Sequence, residues 1–283
     1  MEIIGSGGAN VLLRPVGIRK ELYRCCVRYS SLKRNNELTI DNYRYIREVV
    51  APLLAGLLAE MELVTLKLEE VGTVLRERVP DFDDSAVVAF KMLNLRPENV
   101  YGSVPKFDDH FTKVYCDDSH ANIVLEIKPK WLHRDPEFCR NCTHNLMKGR
   151  NIPYCYSLVV KYPHQIVEIL SFTGIDYPEA FTRTLESYFE QDNNVLRVLY
   201  SLQETLERET PLATVNTVND VTNALLLNMT LRDVTCFIEW SILDPDTVKV
   251  NVVDVDKKPS VKWQHWVEVH KKLRSRVDKV NHG

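Results

Sequence analysis

Glycine is scarce in this chain, with ten among 283 residues, about half the usual ~7%. That scarcity excludes glycine-rich linkers, and no internal repeat or low-complexity tract appears. Long hydrophobic runs are missing too. The longest, Val49–Ala59, is broken by Pro52 and Gly56, and it falls well short of the ~20 residues that span a bilayer. No membrane span is therefore expected. Glu2 and the Ser6-Gly7 pair stand where a secretory leader would carry a basic and then an apolar region, so the chain reads as intracellular and soluble. Charge of one sign is lacking: 36 basic residues face 39 acidic ones, a formal net charge of −3. This balance excludes a globally basic nucleic-acid coat and a long acidic disordered chain. Cysteine is present but odd in number, seven in all, so full internal pairing is impossible and reduced thiols are the simplest reading.

Hydrophobic residues make up 45% of the chain, with nine Phe and twelve Tyr, which argues for a folded protein long enough for two lobes. The pattern predicts short strands over Met1–Ile4, Val11–Arg14 and Leu22–Arg28, with Gly5–Asn10 as the turn between the first two. Asp41 is placed to cap a helix running to about Leu58, because Tyr45, Ile46, Val49, Val50, Leu53 and Leu54 recur at helical spacing. Met61–Leu68 alternates like a half-buried strand, and Ala86–Leu93 reads as a buried one. Arg96–His110, with Pro97, Gly102, Pro105 and Asp108–Asp109, is the best linker. Ala121–Ile127 is a further strand. From Pro136 to Leu206 the pattern is mostly helical, broken at Ser171–Gly174 and Asp192–Asn194. Asp220–Leu227 reads as a short helix, followed by strands Arg232–Trp240 and Val248–Val255 joined through a turn with Pro245, and a basic helix from about Val261. The fold class is α+β: a small β-rich N-terminal lobe, then a larger, mainly helical C-terminal lobe.

Against so little glycine, the cluster Gly5, Gly7 and Gly8 is informative. Glycines there let backbone approach a phosphate and aim N–H groups at it. No helix signal follows, which excludes a Rossmann turn, and Gly-Lys-Ser/Thr is absent, which excludes a Walker loop. A strand–glycine-loop–strand remains, compatible with kinase-like folds or with an ordinary hairpin. The tract Glu126-Ile127-Lys128-Pro129-Lys130 ends a strand, and two lysines two apart in extended chain share one face. They repel unless an anion sits between them; a solvated strand end is the plainer alternative. Over residues 126–150 the local charge is +3, with six basic residues (128, 130, 134, 140, 148 and 150) against three acidic ones. Arg140, His144 and Lys148 recur every four residues, one cationic stripe on a helix. In the same tract His133-Arg134-Asp135 imitates a protein-kinase catalytic loop, but Asn141 falls one place too late and no Asp-Phe-Gly follows. Cys139, Cys142 and His144 with Cys155 offer a zinc set, although the close His144 makes tetrahedral closure awkward and buried thiols are the preferred reading. Asp233 opens one late strand, and Asp254 and Asp256 end the next, beside Lys257 and Lys258. A carboxylate at a strand end beside a Gly loop is where the metal of a nucleotide would be held; each Asp alone is more often a turn or cap, and the two neighbouring lysines are what set these apart.

Together these motifs resemble the inositol-pentakisphosphate 2-kinases in their short fungal form. The likeness rests on Gly-Gly-Ala-Asn at 7–10, Tyr-Arg-Cys-Cys-Val-Arg at 23–28, Pro-Leu-Leu at 52–54 and Glu-x-Lys-Pro-Lys at 126–130. It continues with Cys-Arg-Asn-Cys-Thr-His-Asn at 139–145, Asn-Asn at 193–194, Met-Thr-Leu-Arg-Asp-Val-Thr-Cys-Phe-Ile-Glu-Trp at 229–240 and Asp-Lys-Lys-Pro at 256–259. The resemblance implies a kinase-like two-lobe fold with ATP between the lobes: residues 1–107 as N-terminal lobe, 108–110 as hinge and 111–283 as C-terminal lobe. It implies that Gly5, Ser6, Gly7, Gly8, Ala9, Asn10 and Arg28 hold the ATP phosphates, with Asn194 beside them. Asp108, Asp109 and His110 would meet the adenine, Glu126, Ile127 and Lys128 would also touch the nucleotide, and Asp254 would bind magnesium.

The inositol phosphate would be gripped by Lys130, Arg140, His144, Lys148, Arg197, Lys258 and Lys262. Lys91 stands where the family usually has Arg, and Trp266 where it has Tyr; the zinc-binding insert of plant and animal members has no counterpart. Asp233 would accept the proton of the 2-hydroxyl as ATP phosphorylates inositol 1,3,4,5,6-pentakisphosphate to the hexakisphosphate. A monomer in the nucleus, needing no nucleic acid, is the expectation. The rival reading is a catalytically silent inositol phosphate or RNA-binding module using the basic tracts, including 257–279 with eight basic and two acidic residues. Its RNA version lacks aromatics interleaved with the charges.

Overall fold

A computed structural model describes all residues except 102, 134 and 283, so the Gly102 turn and the Arg134 charge lie outside the described residues. The chain divides into two compact units, Met1–Val104 and Pro105–Gly283. Both are mixed α+β, and each is built on a five-stranded antiparallel sheet.

The first unit contains β1 (Glu2–Ser6), β2 (Asn10–Arg14), β3 (Glu21–Cys26), α1 (Leu32–Tyr45), β4 (Met61–Lys67), α2 (Leu68–Leu75), β5 (Ala86–Leu93) and α3 (Pro97–Tyr101). Its strands run in the order β1-β2-β3-β5-β4. Val11, Leu13, Cys25, Val87 and Ala89 alternate into a core with Val71 and Leu75 of α2. The expected helix from Asp41 to Leu58 is corrected at both ends. The cap lies ten positions earlier, where the Ser31 hydroxyl accepts the Arg34 N–H at 3.1 Å. Asn35 and Asn36 look like loop residues, yet both are buried and bonded. Asn36 Nδ2 donates to Asp84 Oδ2 and Ala86 O, and its Oδ1 accepts the Val88 N–H. These tertiary bonds to the start of β5 outweigh the poor helix propensity of asparagine. At the other end, Ile46–Val50 widens into a π turn and Gly56 adopts φ +78°.

The second unit contains β6 (Phe107–Asp108), β7 (Thr112–Cys116), β8 (Asn122–Ile127), α4 (Arg140–Met147), α5 (Tyr156–Lys161), α6 (Gln165–Ser171), α7 (Glu179–Glu190), α8 (Val195–Glu209), α9 (Asn223–Leu231), β9 (Thr235–Ser241), β10 (Asp244–Val253) and α10 (Trp263–Arg274). Its sheet has the order β10-β9-β8-β7-β6. The second part is mainly helical as expected, with seven α-helices among the described residues, but it also carries a full five-stranded sheet where the sequence predicts three strands. The sequence reading missed β7, and it took the short β6 for linker. Pro245, expected in the turn, lies within the start of β10.

Replacing Asn36 by Ala removes its bonds to the backbone of Ala86 and Val88 and strands groups that strand pairing does not otherwise satisfy. Urea unfolding followed by circular dichroism should show a loss of about 2–3 kcal/mol; a loss below about 0.5 kcal/mol would mean that these bonds do not define the start of α1.

Candidate functional site

Three strands of the second sheet end together. Ile127 at the end of β8 pairs with Cys236 near the start of β9, and Thr235 pairs with Val253 at the end of β10. Antiparallel pairing therefore delivers the segments 128–131, 232–234 and 254–258 to one end of the sheet. Two of these segments turn through left-handed residues that are not glycine, Lys130 at φ +57° and Asp254 at φ +63°. Such strain persists only where the surroundings hold it. For Lys130 they are two buried amides. Gln203 of α8 donates from Nε2 to Lys130 O at 2.9 Å and to Leu231 O at 3.3 Å. Its Oε1 accepts the N–H groups of Leu132 and His133. Asn141 of α4 donates to Pro129 O and Trp131 O, each at 3.1 Å, and accepts the Trp131 N–H.

Lys130 Nζ donates to Asp233 Oδ1 at 2.6 Å, and Lys258 Nζ donates to Asp233 Oδ2 at 2.6 Å. Burial pushes the Asp233 carboxyl up, but Lys258 and Lys130 outweigh it and hold the group below the usual carboxylate range. Asp254 is exposed, and the Thr235 hydroxyl donates to its Oδ2 at 2.8 Å.

Positive charge surrounds this bridge. Partial burial lowers the His110 pKa, and Arg150, Lys130 and Lys128 lower it further. His144 is pushed down to about 4 by burial and then by Arg140, Arg150, Lys148 and His110. Arg150 is placed by the end of α4. Gly149 adopts φ +65°, its N–H donates to Leu146 O, and the Arg150 N–H reaches back to Asn145 O, a Schellman closure that only glycine enters without strain. Arg150 Nη1 is buried with no hydrogen-bond partner among the described residues. Nearby in sequence, Trp131 carries the Arg140 guanidinium 3.8 Å and the Arg232 guanidinium 3.7 Å from its ring centroid. Arg232 also bonds Glu207 at 2.8 Å. Burial lowers Arg140 to about 9, helped by Arg232, and lowers Arg232 to about 10. Arg140 Nη1 lies 3.3 Å from His270 Nδ1, and these residues line a cavity of about 90 Å³.

The remaining expected residues have other settings. Lys148 caps the exposed end of α4, and Lys262 is exposed before α10. Trp266 is half-buried against the cluster of Leu212, Val215, Leu225, Met229 and Val267. Arg197 bonds Asp192 and Glu190 O. Asn194 is buried at the N-cap of α8, accepting from Leu196 and Arg197 N–H groups and donating to Phe189 O and Gln191 O. Asp108 lies in β6 and pairs with Lys113 at 2.9 Å. Asp109 accepts from the Phe111 and Thr112 N–H groups and from the Tyr154 hydroxyl, and the exposed His110 ring sits 4.9 Å from Phe111. Glu126 is buried, with the Tyr115 hydroxyl 3.4 Å from its Oε2; Ile127 is fully buried, and the Lys128 N–H donates to Phe111 O.

In the first unit, Gly5–Asn10 forms the β1–β2 hairpin, closed by the Gly7 N–H on Asn10 O, and Ala9 O accepts the Val27 N–H. Arg78 donates to Ser6 Oγ at 2.7 Å and to Gly7 O at 3.3 Å. A Cβ on Gly8 would meet nothing within 4 Å. Arg28 is exposed, and Lys91 pairs with Glu21 at 2.6 Å. Sequence reasoning missed Arg78, Gln203 and Arg232 as site residues, counted Arg150 only toward the charge of its tract, and weighed Asn141 only as a misplaced catalytic asparagine. Only Arg150 had a usable signal, the glycine before it at the end of the cationic stripe.

A carboxylate bracketed by two ammoniums, with further cations in the same unit, is an arrangement whose chemistry suits a compact anion. The profile of the family described as inositol-pentakisphosphate 2-kinase matches residues 4–200 and 175–272. Proteins of that name from Candida glabrata and Saccharomyces cerevisiae are 47% identical over 280 residues and 40% identical over 277 residues. These alignments cover 99% of this chain and all of the first relative, and 97% of this chain and 96% of the second. A namesake from Eremothecium gossypii is 39% identical over 287 residues, covering both chains fully. The chain belongs to the inositol-pentakisphosphate 2-kinase family.

Proposed function

We propose that this chain transfers the γ-phosphoryl group of ATP to the free 2-hydroxyl of inositol 1,3,4,5,6-pentakisphosphate, giving inositol hexakisphosphate and ADP. The observation that carries the reading is Asp233 held between Lys130 and Lys258 where three strands end. Each phosphomonoester carries about −1.5 to −2 at neutral pH, so five of them place roughly −8 to −10 on one ring. A site for such a ligand needs several cations whose mutual repulsion the ligand itself relieves. Burial is the main cause that lowers His110 and His144, and the neighbouring cations lower both further.

An ammonium has three donors. With one on Asp233, Lys130 and Lys258 keep two each for substrate phosphates, and the shared carboxylate fixes where those donors point. Arg140, His144, Lys148, Arg197, Lys262, Trp266 and Lys91 complete the proposed grip. Phosphoryl transfer passes through a loose transition state, so positioning and charge stabilisation dominate and the base need not be strong. Asp233 is ionised at neutral pH like any aspartate, its two lysines hold it below the usual carboxylate range, and it accepts the hydroxyl proton late in the step.

For the nucleotide we retain Gly5–Asn10 and Arg28 at the phosphates, Asp108–His110 at the base, and Glu126–Lys128. Asn194 enters as the cap that fixes the start of α8. In this reading residues 1–107 and 111–283 are the lobes of a kinase-like fold. Magnesium suits Asp254 by donor chemistry, since the ion takes one or two carboxylates and completes its shell with phosphates and water. When bound, it neutralises charge on the phosphates in flight. Action as a monomer in the nucleus rests on the family likeness.

Purified protein given ATP and inositol pentakisphosphate should add one phosphate to the inositol compound, seen by mass spectrometry; no such gain would end the reading. Asp233→Ala should keep substrate affinity within a few-fold and lose turnover by about 10²-fold or more, and near-normal turnover would remove the base assignment. Lys130→Ala should raise KM for the inositol phosphate, most at low salt. Imidazole NMR should find His110 titrating below the ordinary histidine range in the empty protein and moving upward with bound inositol hexakisphosphate, so that binding takes up protons as pH falls toward that range. An unmoved His110 would place the ligand elsewhere.

A further inference from the structure

Three thiols and an imidazole from distant parts of the second unit meet at one point. The Sγ atoms of Cys139, Cys142 and Cys155 and a ring nitrogen of His282 all lie within 4.8 Å of one another, with Cys139 and Cys155 buried and the other two half-buried. The zinc set considered from sequence paired these cysteines with His144, only two residues beyond Cys142; the structure replaces it with His282, 140 residues beyond Cys142. The objection to tetrahedral closure goes with it. We infer that Cys139, Cys142, Cys155 and His282 form a structural zinc site that fastens the C-terminal tail to the start of α4.

The spacing fits such an ion. Zinc–sulfur bonds of about 2.3 Å in a tetrahedron put neighbouring sulfurs about 3.8 Å apart, and Cys139 Sγ lies 3.6 Å from Cys155 Sγ. His282 Nε2 lies 3.1 Å from Cys142 Sγ, so closing on an ion requires only a small outward shift. Thiolate and imidazole donors are soft to intermediate, the set that selects zinc over magnesium or calcium. A disulfide explains the cluster less well, because it would use two of the three thiols and leave the third beside an imidazole with no reason to converge.

The second layer is also built. The Ser157 hydroxyl stands 3.0 Å from Cys155 Sγ and 3.9 Å from Cys139 Sγ, placed to donate to a ligating sulfur. Cys139 is the N-cap of α4, where helix N–H groups favour a thiolate. The tail is held in register by backbone. The Cys139 N–H donates to Val280 O at 2.7 Å, and the Val280 N–H donates to Thr143 Oγ1 at 3.1 Å. Arg274 and Lys279 both pair with Glu137, just before the site. Binding releases the thiol protons to solvent, leaving three thiolates and a neutral imidazole on the ion. The site needs neither ATP nor the inositol phosphate, so its test is independent of the kinase reading.

The full chain, purified under reducing conditions and dialysed against a weak chelator, should retain about one zinc by elemental analysis. Cobalt in its place should give the intense visible absorption of a tetrahedral thiolate site. His282→Ala and Cys155→Ser should each bring retained zinc close to zero, while Cys26→Ser, in the first unit, should leave it unchanged. Should Cys155→Ser fail to fold, His282→Ala carries the comparison, because it alters only the tail. A reduced wild-type chain that keeps no zinc after exposure to it, or His282→Ala retaining as much as wild type, overturns the site. So does an intact mass showing a Cys139–Cys155 disulfide in metal-free protein that resists mild reductant.

Discussion

Two lysines on one carboxylate are the constraint around which the second unit is arranged. Lys130 and Lys258 each place an ammonium 2.6 Å from an oxygen of Asp233. Without that carboxylate the ammoniums would repel, and each would relax toward solvent on its flexible stem. An isolated surface ion pair adds little to stability. This bridge differs because three charges share one geometry, and its two lysines, with side chains only 22% and 19% exposed, are less screened than surface partners. The bridge therefore acts more on position than on stability: it keeps unused donors together beside a polar edge.

That geometry is inherited from backbone. Strands β8, β9 and β10 bring their ends level, but level ends alone do not aim side chains. Lys130 reaches Asp233 from a left-handed backbone conformation, and Gln203 and Asn141 hold the peptide groups on either side of it. Gln203 also bonds Leu231 O, two residues before Asp233. One buried amide thus ties the lysine segment to the aspartate segment, so a displacement of either strains the other. Strained residues at Lys130 and Asp254 sit where the proposed chemistry is, as expected when a rigid frame pays local strain for orientation.

Strands were legible where apolar alternation was clean: β5 was read residue for residue, and β4 within one. The full width of the second sheet was not legible, because β7, Thr112–Cys116, mixes Thr, Lys and Tyr with only five residues, too few for a period to stand out against a linker. Asn35 and Asn36 concealed the start of α1 for a different reason, since the Asn35 side chain is answered by the Tyr29 backbone just before the helix and the Asn36 side chain by Asp84, Ala86 and Val88 far along the chain. Lys130, Asp233 and Lys258 were legible as motifs, yet their pairing was not, because strand register rather than spacing brings them together. His282 was illegible altogether. Nothing in a tail sequence says which loop it will return to.

Local and global charge point in opposite directions, and the difference is itself selective. The chain as a whole is −3, while Lys128, Lys130, Arg150 and the Arg140–Arg232 pair gather in one part of the second unit, where Lys128, Lys130, Arg140 and Arg150 add to the effect of burial in lowering His110 or His144. Screening at physiological salt confines each field to roughly 8 Å. A compact polyanion fits inside that radius and meets mainly cations. A long polyanion must also run past the acidic remainder of the surface, where it gains no compensating contact. On the proposed reading, an acidic protein with a short-range cationic site would favour concentrated negative charge over extended negative charge, without needing a steric gate to tell them apart.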